Sequence, residues 1–227
     1  MILDGTPPIK VALKRSARAR RISLRVSRLD GRVTLSLPLR VADRAARDFL
    51  NEKEGWIRKH LAQQPDFVTV GLGGEVGYEG RTLTVVAGAG RVARVEADQM
   101  IVPERQGFSA VRIETFLKHE ARVRLRAASD MFSDRLGRPY GRLTLRDTRS
   151  RWGSCSAEGN LMYSWRLIMA PPEVLTYVAA HEVAHLVEMN HSPAFWAVVA
   201  RLFPEHDAPR RWLRQNGGQL HRYRFAD

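Results

Sequence analysis

One short stretch constrains this chain more than any other: Ala180-His181-Glu182-Val183-Ala184-His185-Leu186, followed by Val187-Glu188-Met189-Asn190-His191-Ser192. In a helix, His181 and His185 stand four residues apart on one face, so both imidazoles reach a single ion, with Glu182 beside them as a base. The helix is expected to run from about Glu173 to near Asn190, because Ser192-Pro193 reads as the N-cap and first-turn proline of the next one. A catalytic zinc usually holds three protein ligands and leaves the fourth position for water. His191, in the bend, is the candidate for the third. On a straight helix it would lie about 600° round from His185 at about 100° per residue, so the turn is what brings it within reach.

The setting sharpens the motif. Val174, Leu175, Tyr177, Val178, Val183, Leu186 and Val187 cover most of the helix circumference, which marks a buried helix. Polar groups buried there without partners cost roughly 1 to 3 kcal/mol each. One metal ion satisfies all three side chains. The alternative is a pair of core histidines held by hydrogen bonds, with Glu182 in a salt bridge.

At 227 residues the chain can build its own core without staples. The single cysteine, Cys155, excludes an internal disulfide and a cysteine-based zinc cluster, so histidines must carry any metal; a reducing cytoplasm is the expected location. Met1 to Pro8 lack the charged and apolar segments of a leader, and no apolar run approaches membrane-spanning length. The formal net charge is +13, and the first fifty residues hold twelve Lys or Arg against four Asp. Such a field attracts polyanions or acidic proteins, so nucleic-acid proximity is one expectation. No recognisable nucleic-acid motif accompanies the charge, and a solvated arginine face is the other reading.

Taken in order, Arg20 to Pro38 alternate around Asp30-Gly31 and predict a hairpin. Val41 to Leu61 have approximate helical spacing, with Trp56 expected in the core and Gln63-Gln64-Pro65 as the stop. Val68 to Pro103 show short alternations broken by glycine, predicting further strands, with Gly71 to Gly74 as a turn and no phosphate loop. Ser109 to Leu136 form the longest helical candidate, whose Arg122, Arg124, Arg126 and Arg135 read as a solvated face. Its His119-Glu120 lacks a metal partner, since residue 123 is valine. Leu143 to Leu145 begin one strand and Asn160 to Met169 supply another. Pro193 to Phe203 make a helix, and Arg210 to Arg214 with Leu220 to Phe225 make a basic tail to which the sequence assigns no element. A soft boundary falls near Gly107, giving a β-rich N-terminal portion with one helix over 1–106 and a helical metal-site domain over 107–227.

Arg151-Trp152-Gly153-Ser154-Cys155, Trp165 to Pro171, and His181 through Trp196 together resemble the YgjP-like metallopeptidase family, related to SprT-like zincins. The resemblance covers mainly residues 140 to 205 at motif level. It implies an α+β fold: a zincin-like helical catalytic domain with a small sheet, preceded by a β-hairpin-rich N-terminal portion. It also implies Zn2+ on His181, His185 and His191 and Glu182 as catalytic base; the substrate, which the resemblance does not settle, is expected to be a protein or peptide.

In the expected reaction, zinc acidifies water and polarises the scissile carbonyl while Glu182 moves the proton to the leaving amine. Arg149, Arg151 and Tyr163 are the candidates for oxyanion stabilisation, and the strand around Asn160 to Arg166 for pairing with an extended substrate. Cys155, with no paired base, reads as a small packed residue. Two rivals stand beside this reading. One is a zinc hydrolase of nucleotide phosphoanhydrides whose arginines clamp phosphate. The other is a DNA-associated module with a structural metal.

Overall fold

The computed structural model describes residues 1–27, 31–62, 67–103 and 107–225, and its contacts divide the chain into two compact units, 1–66 and 67–227. No helix among the described residues is long and apolar enough to cross a membrane.

In the first unit, β1 (Ile2–Leu3), β2 (Ile9–Arg15), β3 (Ser23–Val26) and β4 (Val33–Leu37) form a sheet in the order β1-β2-β4-β3. The expected hairpin is present: β3 and β4 pair antiparallel with Val26 opposite Val33. Asp30 of its turn lies outside the described residues, as does the Gln63-Gln64-Pro65 stop. Alternation buries Val33, Leu35 and Leu37 on one face, where they meet Ala46, Leu50 and Ile57 of α1 (Asp43–Glu52) and α2 (Glu54–Ala62). The single helix expected over Val41 to Leu61 is thus two, broken at Lys53. The break shifts the helical phase. Ile57 takes the core position and Trp56, expected inside, is 42% exposed.

The second unit opens with β5 (Val68–Thr69) and a four-stranded sheet in the order β6-β7-β9-β8, built from β6 (Glu75–Tyr78), β7 (Arg81–Gly88), β8 (Arg94–Glu96) and β9 (Gln99–Pro103). The long helix α3 spans Ser109–Leu136, the bounds expected from its spacing. Gly137 stops it in a left-handed conformation, with Gly137 N–H donating to Asp134 and Arg138 N–H to Ser133. Val76, Leu83, Val85, Met100 and Val102 share one core with Ile113, Leu117 and Leu125 of α3. The division expected near Gly107 therefore falls inside this unit.

A three-stranded sheet follows, in the order β10-β12-β11: β10 (Leu143–Arg146) pairs parallel with β12 (Leu161–Ser164), and β11 (Gly153–Cys155) antiparallel with it. The strand expected to reach Met169 ends at Ser164, and Trp165–Met169 form a 3-10 helix whose five residues are all buried. Next come α4 (Pro172–Ala184), α5 (Pro193–Leu202) and α6 (Asp207–Asn216). The basic tail is ordered: Gly217–His221 make a 3-10 turn, and β13 (Tyr223–Arg224) pairs with β5. Buried Arg166 anchors it, donating to both carboxylate oxygens of Asp147 and to the carbonyls of Leu220 and Tyr223. The fold is α+β.

Candidate metal centre

α4 is buried nearly all round, and its last turn carries His181 and Glu182. The helix ends at Ala184, six residues before the expected Asn190. Leu186 and Val187 N–H groups bond back to Val183 and Ala184, tightening the chain into a turn. His185, the capping residue, keeps right-handed helical backbone angles (φ −66°, ψ −13°), so its four-residue step from His181 survives. The expected restart is observed: α5 begins at Pro193, and the Ser192 hydroxyl accepts from Phe195 N–H. Between the two helices His191 turns back to the first.

The three rings meet. One potential ligand atom from each of His181, His185 and His191 lies within 4.8 Å of the others. The Nε2 atoms of His191 and His181 are 3.0 Å apart, near the roughly 3.3 Å between two nitrogens of a tetrahedral zinc with Zn–N of about 2.0–2.1 Å. His185 Nδ1 is 2.8 Å from the Glu188 carbonyl; that bond needs the proton on Nδ1 and leaves Nε2 a free lone pair. Phe195 packs against all three rings, with centroids 4.9, 4.4 and 4.8 Å away. Burial, with the two neighbouring imidazoles, lowers the His181 pKa to about 3, so the ring is neutral, as a ligand must be. Among the described residues its buried Nδ1 has no hydrogen-bond partner. These residues fit a metal ion: two nitrogens face one another at ligand spacing, and all the donors are imidazole.

Glu182 is 6% exposed, and burial pushes its carboxyl up to about 8, with the Arg151 guanidinium opposing the shift. Gly153 of β11 makes the space for it, since a β-carbon there would stand 2.5 Å from Oε1. Strand β11 thus runs past the carboxyl, and among the described residues one of its edges is unpaired. The strand expected to offer that edge, β12, is paired on both sides and cannot.

The oxyanion candidates separate. Tyr163 is 0% exposed and its hydroxyl lies 3.0 Å from Ser129 Oγ in the core, which removes it from the list. Arg149 acts on Asp147 and His221, whereas Arg151 acts on Glu182. The Cys155 thiol is pushed up to about 11, by burial and then by Glu182, and is no nucleophile. Glu120 is taken by Arg124 and the Tyr78 hydroxyl, so His119-Glu120 is not a metal pair. The same bonds correct the reading of Arg124, which is half-buried between Glu79 and Glu120 and is not merely solvated.

Sequence reasoning missed the outer layer of the centre. Trp196 stands 5.8 Å from His181 and 6.1 Å from His191, and the Arg210 guanidinium from α6 covers it at 4.0 Å. Trp196 had a helical-period signal as a core residue. Arg210 has none, because the sequence marks its surroundings only as a basic tail.

Comparison with known proteins adds the following. Residues 20–216 match the family model described as YgjP-like, metallopeptidase domain. None of the curated proteins matches the chain. Among solved structures, the crystal structure of the metallopeptidase zymogen of Pyrococcus abyssi abylysin aligns at 24% identity with a TM-score of 0.35, over 43% of this chain and 92% of that one.

Proposed function

The chain belongs to the YgjP-like metallopeptidase family, and from that premise we propose that it is a zinc-dependent peptidase in which His181, His185 and His191 hold the ion and Glu182 is the general base. The observation that carries this reading is the convergence of three imidazoles beside a buried carboxyl. Zinc suits an all-imidazole set and, when bound, supplies Lewis acidity that polarises the scissile carbonyl and eases proton loss from water.

The rest of the work falls to side chains. Glu182, held in an apolar pocket, has a proton affinity between that of an ordinary carboxylate and that of an amine. It can take the proton of the attacking water and deliver it to the leaving nitrogen. The Glu188 carbonyl fixes the His185 tautomer, and Phe195 keeps the three rings from rotating apart. The unpaired edge of β11 passes Glu182, so an extended substrate adding to that edge would lie over the carboxyl. Arg151 is the guanidinium best placed for the oxyanion.

The test is metal analysis of the purified protein joined to hydrolysis of casein, with nucleoside triphosphates assayed in parallel. The expected result is near-equimolar zinc and proteolysis, with zinc lost in His181→Ala, and with zinc kept but proteolysis lost in Glu182→Gln. Phosphate release without proteolysis, abolished in Glu182→Gln, would overturn the peptidase assignment.

A further inference from the structure

Arg210 sits one layer outside the metal centre. Its guanidinium lies 4.0 Å from the Trp196 ring, and that ring lies against His181 and His191. Stacking holds the planar group and leaves its N–H edges free to grip a carboxylate in a fork. Among the described residues no carboxylate does so: Arg210 has no ion pair there, and Asp207, one turn earlier, is set against His206 at 3.7 Å. Arg124 and Arg166 also lie over aromatic rings, but each is bound by carboxylates, Glu79 and Glu120 in one case and Asp147 in the other.

The charge of Arg210 is felt in the centre itself, at His181 and at Tyr177. From the side of β11, Arg151 is felt at Glu182, and it too has no ion pair among the described residues. Glu182, next to His181 in the chain, is buried. A substrate approaching the three histidines therefore meets the cations Arg210 and Arg151, with the exposed Asp207 set against His206, on a chain of net charge +13 that draws acidic molecules in.

We propose that Arg210 is a specificity-determining residue that pairs with an aspartate or glutamate side chain of the substrate close to the scissile bond, so that this enzyme selects acidic polypeptides. The inference rests on the peptidase reading and deepens it.

The test uses the zinc-loaded full chain and three pools of quenched fluorescent peptides that differ only in carrying Glu and Asp, Gln and Asn, or Lys at the varied positions. Wild type is expected to favour the acidic over the amide pool by about tenfold in kcat/KM, the scale of one partly exposed charged hydrogen bond. Arg210→Gln should bring that ratio close to one, chiefly through KM. Arg210→Lys should retain part of it, and Arg210→Glu should shift preference to the Lys pool, a gain that misfolding cannot imitate. A wild type that cleaves the acidic and amide pools equally would overturn the proposal. So would an Arg210→Gln enzyme whose kcat falls on both pools with the ratio unchanged. A zinc-loaded wild type that cleaves no pool overturns the peptidase reading and this inference together.

Discussion

Gly153 and Glu182 are packed so closely that only a glycine fits: a β-carbon at position 153 would stand 2.5 Å from Oε1, 2.6 Å from Cγ and 2.7 Å from Cδ of Glu182. Such distances are far inside van der Waals contact, so one group must move. Glu182 is 6% exposed and has little room to do so without leaving its place beside the histidines. Gly153→Ala is therefore expected to keep its metal, because no histidine is touched, while kcat falls about a hundredfold, the scale of an ångström-level misplacement. Metal content and steady-state kinetics on one preparation check this. Full activity at full metal content would show that the contact does not position the base.

Glu182 also burdens the fold. Burial raises its pKa to about 8, well above the ordinary glutamate value of about 4.3, with Arg151 opposing. For a carboxyl shifted this way, stability is complete below the unfolded value and is lost as pH rises through the folded one. Metal-free Glu182→Gln should accordingly be more stable than metal-free wild type near pH 7, by on the order of 3 kcal/mol, and about equal near pH 4. Its zinc-loaded form should lose about a hundredfold to ten-thousandfold in kcat. Chemical denaturation of chelator-treated protein at both pH values measures the first effect. A difference that does not change with pH would trace it to packing.

The parts of this structure legible in the sequence are those written in local spacing. The bounds of α3 follow from its three- and four-residue steps and the Gly137 stop. The histidine cluster follows from one helical step and one N-cap. Part of what failed depends on partners distant in sequence. The run from Asn160 to Met169 is apolar without a clear period, and only pairing with β10 and β11 shows that it leaves the strand after Ser164. Pairing also decides which strand has a free edge, so β11 could not be told from β12. The early end of α4 comes from tight backbone bonds at Leu186 and Val187 that no residue type announces. Trp56 lies outside the core because Lys53 separates two helices where the spacing alone suggests one.

Tyr163 illustrates the same limit and can be tested. Its hydroxyl is enclosed with Ser129 Oγ, so it touches no substrate. Tyr163→Phe should leave kcat and KM unchanged and cost about 1 to 2 kcal/mol of stability, because Ser129 is left buried without its partner. Unfolding by denaturant reads the cost. A fall in kcat without loss of stability would return Tyr163 to the reaction.

Acid should weaken the second unit through His221, which lies against Trp152 at 5.1 Å and is 6% exposed. Burial, reinforced by the Arg166 guanidinium, lowers its pKa to about 4, from about 6.5 when unfolded. The unfolded chain thus takes up this proton first as pH falls. Stability from His221 is complete above about pH 6.5, declines between about 6.5 and 4, and is then lost by on the order of 3 kcal/mol. His181, lowered by burial as well, adds a loss of the same sign in metal-free protein. The comparison must therefore be between metal-free wild type and metal-free His221→Gln. Across that window the variant should lose less stability with falling pH, with a slope smaller by close to one proton. Equal slopes would mean that His221 takes up its proton at the same pH in the folded and unfolded chain, with the carboxylate of Asp147 offsetting burial and Arg166.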